Sequence, residues 1–182
     1  MKLEKPCMGV ILMIKIIDGD LFTTDARIIA HSVNCCGVMG SGVALQVHQK
    51  FPHVFFQYKK FCDDKNRFYG SGLLGSMLPV STNPMDIYIP TKYANQIICN
   101  LFTQENYGFE KRQTDYDAFR SALINMKQFI DDELDGKATI AMPYKIGCYR
   151  GGGDWNIVLT MIEKVFSDKE VLLYRRDENV RM

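Results

Sequence analysis

The chain has 182 residues, 47% of them hydrophobic, with 22 lysines and arginines against 21 aspartates and glutamates. That is the length of one domain with material for a sizeable core, and a net charge of +1 gives no reason to expect a nucleic-acid surface or a membrane partner. The six cysteines are scattered without a CxxC pair, so a metal site has little support and reduced thiols in a cytoplasmic protein are the expectation.

Residues 1–9 read as a ragged start. The β-branched run 10–17 reads as a strand ending at the turn Asp18-Gly19-Asp20. It is too short for a transmembrane helix, Lys15 interrupts it, and no small-residue cleavage site follows. Residues 28–33 form a second strand candidate. A helix over 43–51 stops near Pro52, and a further helix over 53–62 places Val54, Tyr58 and Phe61 on one face. Residues 86–90 and 96–101 read as short strands, with 91–95 as a hairpin turn between them.

The clearest helix is 114–134, where Tyr116, Phe119, Leu123, Met126, Phe129, Ile130 and Leu134 recur at helical spacing and Gly136 is the stop. Residues 138–142 read as a buried strand. Asp154 caps a last helix whose apolar stripe is Trp155, Val158, Leu159, Ile162, Val165 and Phe166. Residues 170–174 form a final strand, and the polar tail 175–182 is expected to be loose. Nothing divides the chain, so a single domain with its core over about 10–175 is expected. Strands alternating with helices imply an α/β fold, a sheet covered by helices on both faces.

Two glycine-rich turns each join a strand to a helix. The first is Gly37-Val38-Met39-Gly40-Ser41-Gly42 and the second Gly147-Cys148-Tyr149-Arg150-Gly151-Gly152-Gly153. Such turns present bare backbone N–H groups, and glycine lets a ligand approach the chain closely. Two of them at the carboxyl ends of strands suit a diphosphate gripped from both sides. The first turn is not GxGxxG, and no acidic residue closes a later strand at the dinucleotide-binding distance, which disfavours a dinucleotide oxidoreductase. The segment Tyr58-Lys59-Lys60-Phe61 is a small basic exception, read as a helix with a solvated face.

Several blocks resemble the macrodomain family, whose members bind ADP-ribose. They are Gly19-Asp20-Leu21-Phe22, Ala30-His31-Ser32-Val33-Asn34-Cys35 running into Gly40-Ser41-Gly42-Val43-Ala44, Asn100-Leu101-Phe102-Thr103-Gln104, and Met142-Pro143-Tyr144-Lys145-Ile146-Gly147-Cys148 ending in Gly152-Gly153-Asp154-Trp155. The resemblance is strongest to the branch of ADP-ribose-1″-phosphate phosphatases and small protein-ADP-ribose hydrolases. It implies a three-layer α/β/α sandwich with a mixed central sheet, and a hydrolase acting at the distal ribose of an ADP-ribose derivative, a 1″-phosphate or protein-linked ADP-ribose. The alternative is a non-catalytic ADP-ribose reader. Neither a cofactor nor a metal is implied; the partner is ADP-ribose or an ADP-ribosylated protein.

The resemblance also implies residue roles. Asp20 would accept from the adenine amine beside the Leu21 backbone, or only make a turn. Gly40, Ser41, Gly42, Val43 and Ala44 would wrap the diphosphate at a helix N-terminus. Gly147, Cys148, Tyr149, Arg150, Gly151 and Gly152 would clamp the other phosphate and the distal ribose. Asn34 would bond the distal ribose hydroxyls or tie down the loop after it, and Lys145 would add a positive charge or lie exposed.

Three departures bear on the chemistry. Tyr149 replaces a glycine usual in relatives, and would be strained if the backbone there keeps φ > 0. The lysine nucleophile of some hydrolases is missing from Thr103-Gln104-Glu105, and Gly151 stands where its aspartate partner would be. The remaining catalytic candidates are His31, Asn34 and Asp154: His31 as a proton carrier or a core histidine, Asp154 as a cap or a catalytic group. His48 is expected to face solvent or the neighbouring helix. Cys36 or Cys148 would need a depressed pKa to act as a nucleophile. Substrate-assisted attack by water needs no strong protein base.

Overall fold

Two nearly continuous apolar strands form the centre of the molecule. The structure, a computed structural model, describes residues 14–68, 72–88 and 94–176. β2 (Ile28–Asn34) and β4 (Ile97–Gln104) are buried along almost their whole length, as expected of parallel strands covered on both faces. With β1 (Ile14–Asp18), β3 (Met77–Ser81), β5 (Ile140–Pro143) and β6 (Val171–Arg175) they make a six-stranded sheet of order β1-β6-β5-β2-β4-β3. Every neighbouring pair is parallel except β3 with β4, so the sheet is mixed.

Side-chain alternation assigns each face its helices. Ile28 and Ala30 of β2 join the cluster built with Phe119, Leu123, Met126 and Ile130 of α3 (Tyr116–Glu133) and Val158 and Ile162 of α4 (Trp155–Val165). Ile29 and Val33 join Val47 of α1 (Gly42–Lys50) and Val54, Tyr58 and Cys62 of α2 (Pro52–Phe68). Each large aliphatic or aromatic side chain buried this way contributes about 1.5–3 kcal/mol. The result is the expected α/β/α sandwich. The lysines of the small basic segment, Lys59 and Lys60, face solvent in α2 and pair with Asp63 and Asp64 one turn on.

α3 begins where the Asp115 side chain accepts from Ala118 N at 2.8 Å. It closes through Gly136, whose φ of +67° lets its N–H return to the Ile130 carbonyl at 3.0 Å.

The structure corrects the expected strand over 86–90 at residues 86–88; residues 89–90 lie outside the described residues. Pro84–Tyr88 forms a 3₁₀ helix. Asn83 starts it by accepting from Met85 N, and Ser81 Oγ donates to Asp86 at 2.6 Å, so a local side-chain turn wins over extension. The partner of β4 is instead Met77–Ser81, which the sequence reading passed over. Its Pro79 reads against a strand, yet at a sheet edge a missing N–H costs no ladder bond. Residues 10–13 of the first expected strand, 91–93 of the expected hairpin turn and most of the tail lie outside the described residues.

One consequence of this topology positions the site. The carboxyl ends of β1, β6, β5, β2 and β4 all lie at the same edge of the sheet.

Candidate functional site

Both glycine loops leave that edge, from the adjacent parallel strands β2 and β5. The first loop is fixed by Asn34. Its Oδ1 accepts from Cys36 N at 3.0 Å, Val38 N at 3.3 Å and Tyr58 OH at 3.0 Å, and its Nδ2 donates to Val38 O at 2.7 Å. Met39, 3% exposed, anchors the loop in the core. The chain then runs extended through Ser41 (φ −159°) and enters α1 at Gly42, whose φ of +59° suits glycine. Asp115 and Asp154 close the N-termini of α3 and α4 with side-chain caps, whereas Ser41 makes none. α1 also has no acidic residue in its first turn. Its leading N–H groups, around the half-buried Val43 and Ala44, therefore keep their capacity for an anion.

The second loop follows Pro143. Lys145 (φ +58°), Gly147 (φ +72°) and Gly152 (φ +67°) take left-handed conformations. Lys145 is exposed, with Nζ 5.6 Å from the Tyr144 ring centroid. Thr114 Oγ1 donates to Gly147 O at 2.6 Å, and Gly153 N donates to the same carbonyl at 3.1 Å. Gly151 is buried against Thr114 Oγ1, Gln104 Nε2 and Gly147 O, with no room for a Cβ. An aspartate cannot occupy position 151 in this loop. Tyr149 is not left-handed, so the anticipated strain is absent; its ring is 91% exposed.

The segment after β4 touches both loops. Cys35 N donates to Gln104 O at 3.0 Å and the Cys36 thiol to Glu105 O at 3.3 Å, while Gln113 N and Thr114 N donate to Gly151 O at 2.9 and 3.0 Å. Sequence reasoning missed Thr114 and Gln104 as supports of the second loop. Thr114 was legible only as a residue at a helix start, and its partner lies 33 residues away.

The titratable candidates occupy structural positions. His31, 1% exposed, lies mid-strand between Ile29 and Val33. Asn100 Nδ2 donates to Leu78 O, so its Oδ1 accepts from His31 Nε2 at 2.9 Å. Burial pushes the His31 pKa down to about 4 against the opposing pull of that bond, leaving the ring neutral. Asp154 is exposed; its Oδ1 accepts from Asn156 N at 2.8 Å and its own N donates to Tyr116 OH. Asp20 is exposed and accepts from Phe22 N at 2.9 Å, starting the 3₁₀ turn Leu21–Thr23, in which Leu21 is buried. Burial raises the Cys36 thiol, helped by Glu105, and raises Cys148 to about 11, helped by Asp154. Neither is a thiolate at neutral pH. His48 stacks on Phe55 with ring centroids 3.8 Å apart.

A hollow of about 670 Å³ between α3 and α4, lined by Arg120, Ile124, Ile157 and Met161 among others, includes no residue of either glycine loop. Among the described residues no three His, Cys, Asp or Glu are grouped to hold a metal ion, and no helix is long and apolar enough to cross a membrane.

No family model matches the sequence. A DNA ADP-ribosyl glycohydrolase of Mycobacterium tuberculosis is 30% identical over 165 residues, 89% of this chain but 42% of that protein, so the chain spans less than half of this relative. An ADP-ribose 1″-phosphate phosphatase of Debaryomyces hansenii is 29% identical over 89% of this chain and 98% of its own length. The solved macrodomain of Mycobacterium tuberculosis DarG superposes with a TM-score of 0.70 at 28% identity, covering 88% of this chain and 96% of that one. With two glycine loops rising from adjacent parallel strands of a six-stranded α/β/α sandwich, the chain has the macrodomain fold and is a homologue of the relatives named above.

Proposed function

We propose that the chain binds ADP-ribose between residues 40–44 and 147–152 and hydrolyses an ADP-ribose derivative at the distal ribose. The observation that carries this reading is the convergence of the uncapped N-terminus of α1 and the Thr114-braced second loop at one edge of the sheet. N–H groups from both sides would take the diphosphate. Asp20, already turned by its bond to Phe22 N, would meet the adenine amine. The relatives named above act, by their names, on ADP-ribosylated DNA and on ADP-ribose 1″-phosphate.

His31 is neutral in the core, Asn34 is engaged with its own loop and Asp154 caps a helix. The reading therefore assigns catalysis to positioning: the bound diphosphate and the second loop hold a water against the anomeric carbon, the water oxygen bonds to that carbon as its bond to the 1″-phosphate or linked group breaks and that group leaves with the electron pair, and a substrate phosphate accepts the proton of the water. The competing reading, a non-catalytic reader, is favoured by Thr103-Gln104-Glu105, which offers no lysine after β4. Calorimetry with ADP-ribose followed by incubation with ADP-ribose-1″-phosphate, ADP-ribosylated DNA and ADP-ribosylated protein separates the two. Turnover of any one supports hydrolysis; tight binding without turnover of all three leaves the reader; no binding at all removes both.

A further inference from the structure

α3 and α4 leave a groove of about 670 Å³ between them on their solvent side, and neither glycine loop lines it. Its walls are two matching stripes: Arg120, Ile124 and Lys127 on α3, and Ile157, Met161 and Lys164 on α4, each at i, i+4 and i+7 spacing. Ile124 and Ile157 are 39% and 41% exposed, although the core stripes of the same helices, with Leu123 and Met126 on α3 and Val158 and Ile162 on α4, are fully buried. The two isoleucines thus form apolar surface that the fold leaves uncovered. Of the nine residues lining the groove three are cations and none is acidic. Lys127 is already paired within the fold, its Nζ 2.9 Å from Asp168 and 3.1 Å from Asp131. Arg120 and Lys164 are exposed and form no ion pair among the described residues. A net charge of +1 for the whole chain hides this local excess.

The lining narrows the occupant. Only two helices contribute to it, so there is no third wall to enclose a small molecule and no strand edge for an extended peptide to join. No aromatic ring lines it, so unstacked bases would find no face. What remains is an apolar floor with one unpaired cation on each wall. We propose that the α3–α4 groove docks an acidic amphipathic helix of a partner protein. Apolar side chains at i, i+4 and i+7 of that helix lie against Ile124, Ile157 and Met161, and carboxylates on its two flanks meet Arg120 on one wall and Lys164 on the other. A helix seated on two others packs with its axis about 8–10 Å from each of theirs. The proposal does not depend on the reading of the cleft between the glycine loops.

The test is fluorescence anisotropy with a fluorescein-labelled synthetic helix of about 16 residues, with leucine at i, i+4 and i+7 and glutamate on both sides of that stripe. The wild type is expected to bind it with a Kd below about 0.1 mM. Ile157→Ser should weaken binding about tenfold, and Arg120→Glu and Lys164→Glu about tenfold each at low salt, with a smaller effect as salt rises. Lys137→Glu, an exposed cation outside the groove, should change nothing. ADP-ribose affinity in calorimetry should be the same in every variant, because neither glycine loop lines the groove. No binding up to about 1 mM, or equal affinity in the wild type and the three groove variants, overturns the proposal. So does a peptide with lysine in place of each glutamate, or plain polyglutamate, that binds as tightly, since the fit requires both the charge and the apolar stripe. A wild-type dimer in sedimentation that Ile157→Ser dissolves assigns the groove to a second copy of this chain and overturns it as well. Peptide binding in a wild type that takes no ADP-ribose leaves the groove standing and removes the function proposed for the cleft.

Discussion

Thr114 braces Gly147 from below the second loop: its hydroxyl donates to the Gly147 carbonyl at 2.6 Å, and the same hydroxyl leaves no room for a Cβ on Gly151. The shape of the loop is thus set by a residue of the preceding helix start. Gly151→Ala is expected to push the loop off Thr114 and Gln104, destabilising the fold by about 1–3 kcal/mol. ADP-ribose affinity in calorimetry should fall at least tenfold, while Gly72→Ala, where a Cβ meets nothing within 4 Å, changes neither quantity. A Gly151→Ala protein with native affinity would show that the loop's packing does not shape the cleft.

Gly42 tests the other loop. A Cβ there meets no atom within 4 Å, so the substitution costs only the strain of a side chain at φ +59°, about 1 kcal/mol. Gly42→Ala should retain most binding. Gly42→Glu places a carboxylate where the diphosphate is expected and should abolish the calorimetric signal at an unfolding temperature close to that of Gly42→Ala. Unchanged affinity in the glutamate variant would falsify the assignment of α1 to the diphosphate.

Asn34 carries four side-chain hydrogen bonds within its own loop and to Tyr58. Asn34→Ala leaves the Val38 carbonyl and two loop N–H groups short of a partner, while Tyr58 OH keeps its 2.7 Å bond to the backbone carbonyl of residue 34, a loss of about 2–3 kcal/mol when each lost bond counts for about 1. Denaturant midpoint and ADP-ribose affinity should therefore fall together. An affinity loss at an unchanged midpoint would instead give Asn34 direct contact with the ligand.

His31 makes stability depend on pH in a defined window. Burial depresses its pKa from 6.5 to about 4, so between those values the unfolded chain binds a proton that the folded chain refuses. Stability is full above pH 6.5 and declines as pH falls, by about 1.4 kcal/mol per unit and about 3 kcal/mol in total by pH 4. Urea unfolding across this range should show the decline, and His31→Gln, which can keep a donor toward Asn100, should flatten it. Equal slopes in both proteins would remove His31 as the source.

Most of the fold was legible because its cause is local. The helical spacing of Phe119, Leu123, Met126 and Ile130, the cap at Asp154, and the strands expected at 28–33 and 96–101 are written in neighbouring residues, whereas the Asp115 cap and the extension of the second of these strands to Gln104 came from the structure. The edge strand Met77–Ser81 was not legible, because Pro79 is tolerated only by virtue of a position at the sheet's margin, a property of the sheet and not of the segment.

The sequence by itself determined the α/β class and the two glycine turns, since glycine, periodicity and capping residues act over a few positions. Only the tertiary structure decided what the candidate side chains do. His31 meets Asn100 across a strand pair, Asn34 spends its amide on its own loop and Tyr58, and Thr114 finds Gly147 from 33 residues away. Hydrogen-bond partners and burial are fixed by which strands lie side by side, and that order, β5 beside β2 beside β4, is settled by the packing of the whole sheet.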